Sequence, residues 1–307
     1  MLDLNEPEIL RAVLESLTIG VCIVDQERKI VFWNDGAEEI TGFLRQEVMG
    51  RFCRDDLLVH FDKNDTVLCN HACPVLTAMR DGQPREVQVY LHHKAGYPVP
   101  VSVRAVPIRN AHDQVIGAAE SFVEIHCTSA QHCPGSDLAV GHGLDAVTRL
   151  PDQTFTDSYL AERLKFSAEH VIPFGILSIR LDQLENLTVT HGLVAAEALL
   201  NVAAHTLRNG LDTLDYVGRW TNSQFLVMVT NCADGAVQAT AEQLKRLISC
   251  SAITWWGDPL SVTASVGGTA VNPGETLESL MERLAKALEQ SASAGGNCVT
   301  VFTTTEP

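Results

Sequence analysis

Three cysteines and a group of histidines in the first third of the chain are the residues best suited to do chemistry. Cys53 lies in Gly-Arg-Phe-Cys-Arg, and Cys69 and Cys73 lie in Leu-Cys-Asn-His-Ala-Cys-Pro, with His71 between them. His92 and His93 follow at the end of an alternating segment. Three thiolates and one imidazole make a four-ligand set fit for zinc, and cysteine-rich sets also hold iron–sulfur clusters. The Cys-x₃-Cys spacing admits both. Alternation bears on which histidine joins. Val87, Val89, Leu91 and His93 share one strand face, and Glu86, Gln88, Tyr90 and His92 share the other. His93 is thus expected to point inward with the apolar set, while His71 is an equal candidate from its place between two cysteines. The plain alternative is three buried free thiols and a core histidine. The gathering of these residue types in one stretch favours the metal. Cys127 and Cys133, beside His126 and His132, read as exposed residues that could extend the site or form a redox pair. Cys22, Cys232, Cys250 and Cys298 sit on apolar stretches and read as core.

A second stretch, Arg219 to Val229, reads Arg-Trp-Thr-Asn-Ser-Gln-Phe-Leu-Val-Met-Val. Polar Thr221, Asn222 and Ser223 stand between two apolar stretches, with Gln224 opening the second, and a hairpin is expected.

The elements that must position these residues fall into two groups. Ile9, Leu10, Val13, Leu14 and Leu17 recur at helical spacing, which predicts an amphipathic helix over 6–17. Strands are expected at 20–25, 29–33, 86–93 and 98–106, with a last one ending near Glu124. From Trp33 the sequence runs Trp-Asn-Asp-Gly-Ala-Glu-Glu-Ile-Thr-Gly-Phe, then Glu-Val-Met-Gly-Arg. This resembles a PAS sensor domain, and the resemblance covers about 7–125. It implies a five-stranded antiparallel sheet with helices and a capacity to bind a cofactor, to dimerise, or both. The Leu-Cys-x-x-x-Cys-Pro segment with a later His-His-Lys-x-Gly is similar to a PAS subgroup. Cys53 is also similar in context to the photoactive cysteine of flavin-binding light sensors, but Asp55 and Asp56 follow it and Phe52 precedes it in place of Asn. Haem and flavin therefore rank behind zinc and an iron–sulfur cluster.

The second group opens at Leu144-Asp-Ala-Val-Thr-Arg-Leu-Pro-Asp152. Strands are expected at 174–181, 215–219, 224–230, 260–267 and 298–302, and helices at 154–169, 193–209, 234–249 and 276–291. With Ser265-Val-Gly267, Gly296-Asn297 and the Arg219 hairpin, the stretch 144–302 resembles the GGDEF domain of diguanylate cyclases, a palm-like, mainly antiparallel sheet flanked by helices. The resemblance implies a dimeric enzyme that joins two GTP molecules with the aid of divalent cations held by carboxylates. The aligned positions here carry other groups. The metal-binding Asp of the first strand falls on Arg180, and Gly-Gly-Asp-Glu falls on Thr221, Asn222, Ser223 and Gln224. Only Phe225 of that motif is kept. Guanine-recognition positions fall on Thr188 and Glu197, phosphate-holding positions on Ala292 and Gly296, and the Arg of the inhibitory product site on Asp212. A surface pair of Arg180 with Asp182 or Glu185 is expected.

The chain is α+β with four expected parts: an N-terminal helix at 1–18, a PAS domain at 19–126, a linker at 127–143 and a degenerate GGDEF domain at 144–307. Pro134, Gly135, Gly141 and Gly143 forbid a continuous helix in the linker, and it carries no heptads. With 38 Asp and Glu against 22 Lys and Arg, the net charge of −16 argues against a nucleic-acid partner. No apolar run approaches the roughly 20 residues that span a bilayer. The acidic N-terminus has no export-signal pattern, and cytoplasmic placement is the expectation. Nine cysteines in a reducing compartment are not a disulfide framework. The expected function is signalling within cyclic-di-GMP circuits. The PAS domain senses, possession of a metal or redox site is its means, and a catalytically inactive GGDEF domain serves homodimerisation or partner binding. The alternative is a nucleotide-binding sensor or a residual cyclase.

Overall fold

The computed structural model of the chain describes residues 6–55, 57–63, 66–69, 72–125, 143–230, 232, 235–272 and 274–302. It divides into two units, Met1–His126 and Cys127–Pro307. The expected linker with Cys127 and Cys133 lies outside the described residues but for Gly143, as does His71.

The first unit runs α1 (Pro7–Glu15), β1 (Gly20–Asp25), β2 (Ile30–Trp33), α2 (Asp35–Thr41), α3 (Arg45–Val48), β3 (His60–Phe61), α4 (Pro74–Asp81), β4 (Arg85–His92), β5 (Pro98–Arg109) and β6 (Val115–Glu124). These strands form one antiparallel sheet in the order β2-β1-β6-β5-β4-β3. The expected five strands are present, with the two-residue β3 added at the edge beside β4. Val101, Val103 and Ala105 of β5 and Ala118 and Phe122 of β6 are buried at period two, and with Trp33, Val48, Val89 and Leu91 they build the core. β5 continues past Pro107, since Pro107 lacks an N–H but the pairing with Ala118 is kept.

Asn34 fixes the start of this unit. Its Oδ1 accepts from the N–H of Val21 at 2.7 Å and of Ala37 at 2.9 Å, which caps α2. Its Nδ2 donates toward the carbonyls of Leu14, Leu17 and Ile19. The Trp-Asn pair of the sequence motif is thus a brace: Trp33 is fully buried, with Nε1 donating to the Phe43 carbonyl at 3.1 Å. On α1, Leu10 and Val13 stay about half exposed while Ile9 and Leu14 are partly covered.

The second unit runs α5 (Gln153–His170), β7 (Gly175–Leu181), α6 (Leu184–His191), α7 (Leu193–Asn209), β8 (Tyr216–Arg219), β9 (Gln224–Val229), α8 (Ala236–Ser249), β10 (Ala252–Trp255), β11 (Asp258–Ser261), β12 (Ala264–Ala270), α9 (Leu277–Ser293) and β13 (Val299–Phe302). A five-stranded sheet has the order β13-β12-β7-β9-β8, antiparallel except for the β12–β13 pair. The single strand expected at 260–267 is two. β11 pairs with β10 in a separate hairpin, and β12 enters the main sheet. The intervening Val262 and Thr263 make the corner. Helix α6 carries no clean apolar stripe, and the sequence pattern missed it. At Gly267 in β12, a Cβ would meet the Leu288 nitrogen of α9 at 2.2 Å, so the Ser-Val-Gly motif lets α9 lie directly on the strand.

Candidate functional site

In the second unit the positions aligned with the nucleotide site come together. Arg180, next to the last residue of β7, lies opposite Gln224 on one side and Ser265 on the other. The Leu181 N–H donates to the Ser223 carbonyl at 2.9 Å, which brings the hairpin tip against the strand end. Arg180, Asp182, Glu185, Ser223, Ala292 and Gly296 line an open cleft of about 380 Å³. A second cleft of about 500 Å³ is lined by Thr188, Glu197, Arg219 and Asn222 with apolar Val189 and Leu193.

Asp182 is engaged otherwise than the expected surface pair with Arg180. Its carboxylate accepts from Thr263 Oγ1 at 2.8 Å, Ser265 Oγ at 2.7 Å and the Asn297 N–H at 2.9 Å. It therefore ties β7 to the β11–β12 corner and to the loop after α9. Gly296 sits at φ +77°, and a Cβ there would press on the same carboxylate at 3.2 Å. The Gly-Asn landmark thus serves this tie.

The other retained motif residues also have internal partners. Asp145 accepts from the Thr148 N–H at 2.8 Å and its hydroxyl at 2.7 Å. These bonds and the nearby Arg219 outweigh burial and hold the Asp145 carboxyl below its usual range. Asp152 caps α5 through the Phe155 N–H at 2.9 Å. Arg219 lies over the Phe225 ring, donates to the Asn222 carbonyl, and its own N–H reaches the Pro151 carbonyl at 2.7 Å. Burial pushes the Asp215 carboxyl up, although Thr230 donates to it through both its N–H and its hydroxyl.

In the first unit Cys53, Cys69 and Cys73 are all buried, as is Cys22. The imidazole that accompanies them is His60, which the sequence reading passed over. His60 is 2% exposed, and Glu120 beside it is also 2% exposed. His60 Nε2 lies 3.0 Å from Glu120 Oε1, yet the pair is poorly aligned, and neither ring nitrogen nor that carboxylate oxygen completes a hydrogen bond within the described residues. Burial alone would lower the His60 pKa; Glu120 and the thiols of Cys69 and Cys73 outweigh it and hold it well up. Burial would likewise raise Cys69, but the His60 ring and N–H hold its thiol below the ordinary value. The His60 N–H donates to Cys69 Sγ at 3.3 Å. Burial, followed by Glu120 and Cys73, pushes Cys53 up to about 12.

His93 stands elsewhere than the inward position expected from alternation. β4 ends at His92, and His93 is half-buried in the following turn, with its ring stacked on Tyr97 at 4.3 Å and close to Gly42. Its Nδ1 accepts the Ala95 N–H at 3.0 Å. The alternation ends with the strand, because the turn resets the direction of the side chain. Among the described residues no three His, Cys, Asp or Glu side chains converge as an assembled metal shell. Glu120 was legible: it shares the core face of β6 with Ala118 and Phe122, two residues away on either side. His60, on a two-residue strand, gives no periodic signal.

Among the described residues no helix is long and apolar enough to cross a membrane. Residues 142–298 match the family described as diguanylate cyclase, GGDEF domain, and residues 18–126 match the PAS domain. The chain is 29% identical over 161 residues to Diguanylate cyclase A of Treponema denticola, covering 51% of this chain and 43% of that protein. It is 23% identical over 299 residues to the probable diguanylate cyclase DgcE of Escherichia coli, covering 97% of this chain and 26% of that one. The chain thus spans less than half the length of these curated relatives. The GGDEF domain of DgcB from Caulobacter crescentus, solved in complex with c-di-GMP, superposes with a TM-score of 0.50 at 20% identity, over 52% of this chain and 95% of that one, a likeness of fold. The matched segments agree with both sequence motifs and both sheets, and the chain belongs to the GGDEF family of signalling proteins, with a PAS domain ahead of its GGDEF domain.

Proposed function

We propose that the chain is a signalling protein whose PAS domain senses through its cysteine–histidine site and whose GGDEF domain makes no cyclic dinucleotide, serving instead in homodimerisation or partner binding. One observation carries the second half. At the strand end and hairpin tip, where cation-assisted attack on GTP needs carboxylates, the aligned side chains are a guanidinium, a hydroxyl and an amide from Arg180, Ser223 and Gln224. The neighbouring acid, Asp182, is spent on three structural hydrogen bonds. Retained Asp145, Asp182 and Arg219 each have partners inside the fold, and the replaced Arg180, Ser223 and Ala292 line the cleft. That is the pattern expected when a domain is kept for its shape. Incubation with GTP and Mg²⁺ or Mn²⁺ tests it: cyclic-di-GMP above background refutes the loss of activity.

For the sensing half, Cys53, Cys69 and Cys73 supply soft donors for zinc or an iron–sulfur cluster. A second reading, nucleotide binding without turnover, is favoured by Arg180 lining the cleft beside Ser223, since a guanidinium pairs with phosphate oxygens. GTP titration by calorimetry separates the two. The homodimer would form through the half-exposed stripe of Leu10 and Val13 on α1.

A further inference from the structure

We infer that His60, rather than His93 or His71, is the imidazole ligand of a zinc site completed by Cys53, Cys69 and Cys73, with Glu120 as the carboxylate that orients the ring. This inference rests on the sensing reading above and names the ligand set and the metal. The donors are all in one core. The His60 N–H meets Cys69 Sγ at 3.3 Å, Cys73 and Cys53 lie close enough to act electrostatically on the His60 ring, and every one of these side chains is buried.

A plain buried His–Glu pair would occupy Nε2 and leave Nδ1 without a partner. Here both ring nitrogens and Glu120 Oε1 lack an aligned hydrogen bond within the described residues. Native cores seldom leave three neighbouring polar atoms unpaired. A metal at Nδ1 gives that nitrogen its partner, and a turn of the ring toward it that aligns Nε2–H with Glu120 Oε1 completes the carboxylate–histidine–metal arrangement common to protein zinc sites. The Cys69 sulfur already accepts the His60 N–H at 3.3 Å, a bond that a metal-bound thiolate keeps. Three sulfurs and one nitrogen match the Cys₃His set of structural zinc. Binding converts three thiols to thiolates and releases up to three protons. The described side chains do not yet converge as a coordination shell, so the thiols must turn about their Cα–Cβ bonds to close on the ion.

The test uses the full chain, produced with added zinc and purified without oxygen. Elemental analysis should give one zinc per chain, and X-ray absorption should give three sulfurs at about 2.3 Å and one nitrogen at about 2.0–2.1 Å. Chelator competition should rank the variants. His60→Gln should abolish tight binding, His93→Ala and His71→Ala should leave it unchanged, and Glu120→Gln should weaken it by about 10–100-fold. If His60→Gln fails to fold, Glu120→Gln and the absorption spectrum of the wild-type protein decide. Full affinity in Glu120→Gln, or a shell of four sulfurs, overturns the assignment. Zinc lost in His93→Ala or His71→Ala but kept in His60→Gln overturns it while the metal reading stands. Iron with sulfide and visible absorption overturns the zinc assignment. Metal-free protein with all thiols reactive overturns both the assignment and the metal reading.

Discussion

Replacing Asp182 by Ala should unfold the GGDEF domain more readily and change nothing in its response to cations. The carboxylate accepts three hydrogen bonds, from Thr263, Ser265 and Asn297. Bonds to a charged acceptor contribute roughly 1.5–3 kcal/mol each. Asp182 is only half-buried, and the two hydroxyls can turn to water, so about 3 kcal/mol is expected to be lost in all. For a domain of this size that lowers the melting temperature by about 6–12 °C. Asp182→Asn should cost about half as much, because its oxygen still serves one donor while its NH₂ faces another. Denaturant unfolding followed by tryptophan fluorescence reads this domain preferentially, since Trp220, Trp255 and Trp256 lie in it and Trp33 alone lies in the PAS unit. Millimolar Mg²⁺ should shift neither the wild-type nor the variant curve. A loss under about 0.5 kcal/mol, within the range of ordinary surface substitutions, would refute the structural role. A Mg²⁺-dependent stabilisation that vanishes in Asp182→Ala would refute the argument that this acid is unavailable to metal.

Three further outcomes are expected. Single reversions at the cleft, Arg180→Asp or Ser223→Glu, should yield no cyclic-di-GMP from GTP, because the metal, phosphate and backbone-approach positions all differ together; product from either would count against the proposed loss. Asn34→Ala removes a fully buried side chain that serves five backbone groups, and at about 1 kcal/mol for each bond the PAS unit should lose roughly 3–5 kcal/mol in calorimetry; a loss below about 1 kcal/mol contradicts the brace. The double change Leu10→Glu and Val13→Glu, or deletion of residues 1–18, should turn a dimer into monomers or aggregates in sedimentation at micromolar concentration, and a wild-type monomer there removes the dimer proposal.

Both domains were legible in the sequence because their motifs are local. Trp33-Asn34 and Gly267 are read at sight, and the structure shows why each is constrained: a buried brace that caps α2, and a strand on which a helix backbone rests. The hairpin and the strand end were legible for the same reason, since the sheet register only had to set Arg180 against Gln224. What escaped depends on chain segments far apart. β10 and β11 stand as a separate hairpin because a two-residue corner diverts the chain, which an apolar run from 260 to 267 does not reveal. Asp182 looks like an available acid until residues from two other loops donate to it. The histidine of the thiol cluster shows the limit most clearly. Alternation aimed His93 inward, but period two holds only while a strand lasts, and β4 stops one residue earlier. His60 sits on a strand too short to have a period, and only sheet packing, which carries β6 through the same core, brings it within 3.0 Å of Glu120. Composition and motif determined the two domain types and which side chains stand at the strand end and hairpin tip. Tertiary packing decided which imidazole lies beside the buried cysteines, because burial and proximity are properties of the assembled sheet and not of any stretch along the chain.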